Sequence, residues 1–232
     1  MKKIIYTDGS SSGNPGPGGY AAVITDGKMV WEIGDYEPKT TNNRMELKAV
    51  IEGLKKIEIG ESVKIITDSS YVVRGIGEWI EGWIMNNWIT KTKQQVANQD
   101  LWQELYDLVQ DRNVEWLLIK GHATVAGNNR ADMLATTFST EVVPIMYSGP
   151  KSDYKIDLTE PTHLQIANDK NDAKMKKGSK AYSYLSLVNG VLNKHKTWSE
   201  CESRVKGKAG AKFRKATSPE EESSILRDWG CN

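Results

Sequence analysis

Cysteine and phenylalanine are scarce: the 232 residues contain two of each. Cys201 and Cys231 both lie near one end, which argues against a disulfide framework or a cysteine-built zinc site. A reducing, cytoplasmic setting is the expectation. No apolar run approaches the roughly 20 residues that a membrane span needs, so no membrane partner is expected. The opening MKKIIYTDGS has a basic tip but lacks the apolar stretch of a signal peptide. Net charge is almost absent as well, at a formal +1. Neither an internal repeat nor an obvious apolar patch stands out, and the expected state is a monomer. A length of 232 residues leaves room for one ordinary domain and a small second one.

The near-zero net charge hides a division. Residues 1–140 carry 15 Lys and Arg against 18 Asp and Glu, whereas residues 141–232 carry 16 against 12. The bias is sharpest over residues 179–217, where nine cations face only Glu200 and Glu202. Such a tail is either a solvated surface or the electrostatic footprint of an anionic partner.

Residues 3–8, 19–25 and 28–36 read as three strands in an antiparallel meander, the last two separated by the hairpin signal Asp26-Gly27. From Asn43 the period becomes helical, with Leu47, Val50, Ile51, Leu54 and Ile57 on one face and Gly60 as a stop. A short strand over 63–67, a Trp-rich helical stretch, a helix around 101–109, a strand over 114–120 and a helix over 127–138 follow. This order describes a mixed, five-stranded α/β sheet flanked by helices. Residues 142–179 are polar, hold Pro and Gly and show no lasting period, which reads as a flexible linker. At about 38 residues it would span roughly 30–35 Å r.m.s.. Residues 180–232 read as a minimal αβ module opening with a hairpin at Asn189-Gly190. The expected division is therefore 1–141, 142–179 and 180–232.

Two strands rich in β-branched residues end in the same way, T-D-G-S at Asp8 and T-D-S-S at Asp68. As neighbours in one sheet they would bring both acids to one edge, where sites in α/β proteins tend to lie. Glu46 begins the helix after the meander, and Asp132 lies near the start of the last helix. Each acid alone has a structural explanation, as a turn former or a helix cap. Four together, beside His122 in KGHA, point to chemistry. Converging carboxylates repel and raise one another's pKa unless cations sit among them. Hard divalent ions accept such oxygen ligands, and a pair about 3.5–4 Å apart suits phosphodiester hydrolysis.

The blocks YTDGSSSGNPGPGGYA, TTNNRMEL, TDSSYV, DLW and KGHATVAGNNRADMLA carry a resemblance. Over residues 1 to about 140 the chain resembles type 1 ribonuclease H, long ordered motif by motif. The resemblance implies an endonuclease that hydrolyses the RNA strand of RNA–DNA hybrids, leaving 5′-phosphate and 3′-hydroxyl ends. It implies Asp8, Glu46, Asp68 and Asp132 as a quartet holding two Mg²⁺ ions, with Mn²⁺ as substitute, and His122 as a proton-transfer or product-release residue. Gly9, Ser10, Asn14, Thr41, Asn42, Asn43, Ser70 and Asn98 are implied as substrate contacts. The backbone beside Asp8, free of bulky side chains, could approach a strand closely. Amide and peptide groups could then read the 2′-hydroxyl that separates RNA from DNA.

Several positions depart from the family pattern. Trp79, Trp83 and Trp88 are kept, as packing residues, but Ile84, Met85, Asn86 and Asn87 stand where many relatives are basic. Ser70 replaces a longer amide, and Asn128-Asn129-Arg130 replaces a run in which relatives often carry an acid. The tail, within TWSECESRVKGKAGAKFRKATSPEE, resembles the hybrid-binding (viroplasmin-like) domain, which in its family usually comes first in the chain. That resemblance implies Tyr184, Trp198, Phe213, Arg214 and Lys215 as nucleic-acid contacts, and hence a tail that adds hybrid affinity. Trp198 and Phe213 could equally be the core of a tiny domain. A hybrid-binding protein without catalysis, or another nuclease of the same fold such as an integrase or junction resolvase, are the competing readings.

Overall fold

The computed structural model describes residues 2–121, 124–163, 165–167 and 181–231. Strands β1 (Lys3–Ser11), β2 (Gly16–Thr25) and β3 (Met29–Thr40) form the antiparallel meander. The Asp26 carboxylate closes the β2–β3 turn by accepting from the backbone N–H groups of Lys28 and Met29, each at 2.8 Å. Helix α1 (Asn42–Lys55) is capped by the Thr41 hydroxyl, which accepts from Arg44 N–H, and it buries Leu47, Val50, Ile51 and Leu54. Strand β4 (Ser62–Thr67) lies parallel to β1. Helix α2 (Ser70–Arg74), a wider turn over Gly75–Trp79 and helix α3 (Ile80–Met85) hold the tryptophans. Helix α4 (Gln99–Gln110), strand β5 (Asn113–Leu118, parallel to β4) and helix α5 (Ala126–Ser139) complete the unit. One sheet face packs on α1 and α4 through Ile5, Leu47, Leu54, Ile65, Trp102 and Leu105. The other packs on α5 through Tyr6, Val23, Ile66, Ala131 and Leu134.

Two expectations need correction. Strand β1 does not stop at Asp8 but continues to Ser11, because the Gly-rich stretch is not all loop: Gly18 and Gly19 pair with Ser11 and Ser10. The sheet also has six strands rather than five, in the order β5-β4-β1-β2-β3-β6. Strand β6 (Ser148–Pro150) comes from the stretch expected to be linker and pairs antiparallel with Met29–Trp31 at the edge of β3.

That stretch continues as a strap across the α5 face. Leu158 is 3% exposed among Tyr6, Ile66, Ile119 and Leu134. The Tyr6 hydroxyl reaches the carbonyls of Leu158 and Thr159, both at 3.2 Å. Glu32, whose side chain is fully buried, takes a two-pronged ion pair from Arg130 at 2.7 Å and hydrogen bonds from Tyr154 O–H and Tyr147 N–H. Tyr147, Tyr154, Ile156 and Leu158 follow the contour of the domain rather than a helical or strand period, so the sequence pattern concealed them.

The tail forms a second sheet, β8-β7-β9, from β7 (Ser183–Val188), β8 (Val191–His195) and β9 (Lys212–Ala216). Asn189 and Gly190 both adopt positive φ, 52° and 76°, as a two-residue hairpin of this hand requires. Helix α6 (Trp198–Val205) begins with a reciprocal Thr197–Glu200 capping box, and α7 (Pro219–Asp228) is capped by Ser218. Leu185, Ala216 and Ile225 join one sheet face to α7. The opposite face carries Tyr184 and Phe213, and it is covered by α6 and also by α4. The Trp198 ring stands edge-on to Tyr106 at 4.9 Å, its Nε1–H donates to Asp107 at 3.0 Å, and the Tyr184 hydroxyl reaches Gln110.

Leu158→Ala tests whether the strap belongs to the catalytic core. Truncating a leucine buried this deeply costs about 2–5 kcal/mol of unfolding free energy, measurable by urea denaturation followed through tryptophan fluorescence. A loss of only a few tenths of a kcal/mol, typical of a surface site, would contradict the packing described.

Candidate active site

Strands β1 and β4 run in parallel with Tyr6 opposite Ile66. Asp8 and Asp68 each follow that pair by two residues, so they arrive level at the same sheet edge. Gly9 then decides how near Glu46 comes. A Cβ at Gly9 would lie 2.2 Å from the backbone nitrogen of Glu46 and 2.3 Å from the carbonyl carbon of Met45. Only a glycine lets the strand touch the helix so closely. As a result one oxygen from each of Asp8, Glu46 and Asp68 lies within 4.8 Å of the others.

Asp132, on α5, lies outside that trio and reaches it through its action on Asp8. Tyr6 and Asp8, two apart on β1, share the face toward that helix. Gly127 seats α5 directly on the Tyr6 ring, since a Cβ there would stand 2.6 Å from the ring atoms. The Asp132 charge helps to raise the pKa of Asp8. The helix-cap explanations fall away. Glu46 is the fifth residue of α1 and Asp132 the seventh of α5, and neither helix has an acid in its first turn.

Electrostatically the cluster is under tension. Asp8 is 8% exposed, and its pKa is pushed up to about 8, first by burial and then by the charges of Asp68 and Asp132. The Gly9 N–H, donating to Asp8 Oδ1 at 2.8 Å, opposes the rise without cancelling it. Burial, then Asp8 and Asp68, hold Glu46 well above the usual carboxylate range. Glu46 Oε1 accepts from the Asn42 side chain at 3.4 Å, while Oε2 is buried with no hydrogen-bond partner. A buried acceptor left in this way costs stability unless something fills the place. An all-oxygen donor set with an open buried position fits a hard divalent ion such as Mg²⁺ or Mn²⁺.

Of the other residues singled out, Gly9 and Ser10 follow Asp8 on β1, and Asn14 is exposed on the following loop. Thr41 is the α1 cap, Asn42 touches Glu46 and Asn43 is exposed beside it. Ser70 opens α2 two residues after Asp68 and is exposed. Asn98, in the left-handed region at φ 58°, donates to the Tyr71 hydroxyl at 3.1 Å and accepts from Arg44 at 3.5 Å. His122 lies outside the described residues.

Sequence reasoning missed Arg44, which forms a two-pronged pair with Asp100 at 2.7 and 3.0 Å and so ties α1 to α4. It also missed Tyr71, whose hydroxyl takes the Trp102 indole N–H at 3.0 Å. The motif blocks that carry these residues were the available signal. The tail residues are not gathered at the acids. Tyr184 and Trp198 are buried and Phe213 is half-buried against α6 and α4. Adjacent strand positions face opposite ways. Arg214 therefore points to Asp228 of α7, at 3.6 Å, while Lys215 is half-buried on the α4 side, where burial lowers its pKa against the pull of Asp111.

A family model described as RNase H matches residues 1–140. Ribonuclease H of Symbiobacterium thermophilum is 50% identical over 133 residues, which cover 57% of this chain and 90% of that protein. Among solved structures, LC9-RNase H1, described as a type 1 RNase H with the type 2 active-site motif, is 31% identical with a TM-score of 0.56. The likeness covers 63% of this chain and 76% of that one. A foamy viral protease–reverse transcriptase, solved in complex with an RNA/DNA hybrid, is 25% identical with a TM-score of 0.50, over 60% of this chain and 20% of that one. The match spans more than half of the chain and takes in all four acids, and the chain accordingly belongs to the RNase H family of enzymes.

Proposed function

We propose that the chain hydrolyses the RNA strand of RNA–DNA hybrids at the acid cluster, with two Mg²⁺ ions held by Asp8, Glu46, Asp68 and Asp132. The observation that carries this reading is the convergence of Asp8, Glu46 and Asp68 oxygens around an unpartnered Glu46 Oε2. The hybrid complex of the viral relative supports the choice of substrate. When bound, the ions supply an activated water at neutral pH and charge neutralisation on the leaving oxygen.

The chain's own groups do the remaining work. Asp8 and Glu46, protonated more readily than ordinary carboxyls, give up their protons as the site fills. The Gly9 backbone and the Asn42 amide present donors and acceptors to a 2′-hydroxyl, which selects RNA at the cleaved strand. Ser10, Asn14, Thr41, Asn43, Ser70 and Asn98 line the approach of the two strands, and His122 assists proton transfer or product release. Products carry 5′-phosphate and 3′-hydroxyl ends.

The tail adds affinity for the hybrid. Its aromatic face is committed to α4 in this structure, so its contribution comes from exposed cations. Lys206 and Lys208 stand at the rim of a cleft of about 350 Å³ whose other wall includes Trp88 and Gln99. A non-catalytic reading predicts hybrid binding without product, and a resolvase-like reading predicts cleavage of duplex DNA. A labelled hybrid assayed beside double-stranded RNA and DNA separates all three.

Two outcomes follow. The raised pKa of Asp8 favours the protonated fold, so its stabilising contribution is complete below about pH 4 and lost as pH rises through about 8. Without metal the melting temperature should fall across that window, and Asp8→Asn should flatten the fall. Mg²⁺ should restore the wild type most at the alkaline end and leave the variant unmoved. Hydrolysis by the variant should drop about a thousandfold, equivalent to several kcal/mol of lost charge stabilisation. Identical metal-free curves for both proteins would contradict the assignment. Separately, Lys206→Glu with Lys208→Glu should raise KM at low salt without changing kcat. The pair should also reduce the slope of log KM against log salt by about 1.5–2. An unchanged slope would remove the tail from the binding surface.

A further inference from the structure

The family model ends at residue 140, yet the end of the strap, about 25 residues beyond it, grips the described flanks of the segment that joins β5 to α5 beside the acids. The near flank of this loop lies over the site: a Cβ on Gly121 would stand 4.0 Å from Asp68 Oδ2. Three hydrogen bonds fasten its two flanks. Ala167 N–H donates to the Leu118 carbonyl at 3.0 Å, and Lys120 N–H donates to the Gln165 carbonyl at 2.8 Å. Between them Ile166 sits opposite Ile119 as an added antiparallel step on the free edge of β5. Across the loop, the Gln165 side chain donates from Nε2 to the Thr124 carbonyl at 2.7 Å.

The Gln165 carboxamide is itself fixed. Its Oε1 accepts from Thr162 N–H at 2.9 Å and from the Thr162 hydroxyl at 3.1 Å, so both of its ends are engaged and its orientation follows from the network. Upstream the strap is anchored by Leu158 in the core and by the Tyr6 hydroxyl. On the inner side, Ile119 N–H donates to the Thr67 carbonyl at 2.9 Å, one residue before Asp68. The strap also holds α5 directly. The Arg130 guanidinium, two residues before Asp132, donates to the Ile145 carbonyl and shares Glu32 with Tyr147 and Tyr154. Thus one segment touches the last residues of β5, the far flank of the loop and the helix of Asp132.

We propose that Gln165, together with the Ala167 backbone, is a positioning element for hydrolysis, clamping both flanks of the β5–α5 loop so that Asp68 and Asp132 keep their spacing. The inference rests on the reading of the acid cluster as the hydrolytic site. A site of this kind tolerates little play, since a misplacement of about 1 Å can cost on the order of a hundredfold in rate. Such sites are held by neighbours whose own rotamers are locked. The clamp supplies that lock from outside the matched domain.

The test uses the full chain and two variants. Gln165→Leu removes both carboxamide bonds while keeping side-chain bulk, and Ala167→Pro removes the N–H that pairs with Leu118. Each is measured for kcat and KM on a hybrid, for melting temperature, and for amide hydrogen exchange in peptides covering residues 118–126. The expected result is a fall in kcat of about ten- to a hundredfold, with KM and melting temperature unchanged and exchange in those peptides faster. Unchanged kcat in both variants overturns the proposal. So does a fall in kcat without faster exchange, or one that merely tracks a lower melting temperature. Should the wild type cleave no hybrid, the functional reading fails, and the exchange measurement still decides whether the clamp exists.

Discussion

Mutual repulsion among largely buried carboxylates is the constraint around which this molecule is built. Asp8, Glu46 and Asp68 come within a few ångströms of one another, and the first two are buried. Two like charges 4 Å apart repel by about 1 kcal/mol in water and about 4 kcal/mol at an effective dielectric of 20. Protons relieve that repulsion at low pH, and the proposed divalent ions would relieve it near neutrality. Which of the two is present changes both the stability of the fold and its chemistry.

The surrounding fold resists the repulsion from several directions. The sheet is packed on both faces, with α1 and α4 on one side and α5 on the other, and each face carries its own buried cluster. Gly9 joins β1 to α1, Gly127 joins α5 to β1, and Arg44 with Asp100 joins α1 to α4. The strap adds the buried Glu32–Arg130 pair. A buried charge pair is worth its desolvation cost only when its remaining acceptor positions are satisfied. Here Tyr147 and Tyr154 satisfy them, which makes the strap a part of the catalytic unit and not a tether.

Much of this was legible in the sequence. The repeated T-D-[GS]-S endings marked two strands whose adjacency, a condition of the sequence reading, the sheet supplies; the helical spacing of Leu47, Val50, Ile51 and Leu54 identified α1, and Asn189-Gly190 identified the tail hairpin. What escaped has a common physical cause. Strap residues such as Tyr147 and Leu158 obey no period, because they follow the outline of a surface made by distant segments. Glu32 and Arg130 are 98 positions apart and look like ordinary surface charges until the fold pairs them. The Gly-rich stretch after Asp8 reads as loop by composition, although half of it pairs as strand. Docking of the tail on α4 left no local trace, because Trp198 reads the same whether it meets DNA, its own small core or a neighbouring helix.

Exchange of protons for divalent ions in the cluster is the event that would turn this fold into a nuclease site. Calorimetric titration of Mg²⁺ into the full chain near pH 7, in buffers of differing ionisation enthalpy, measures that exchange directly. Carboxyls with raised pKa values must lose protons as the ion binds, so the apparent binding enthalpy should vary with the buffer and report net proton release. Binding heats that do not depend on the buffer, or no binding at millimolar Mg²⁺, would contradict it.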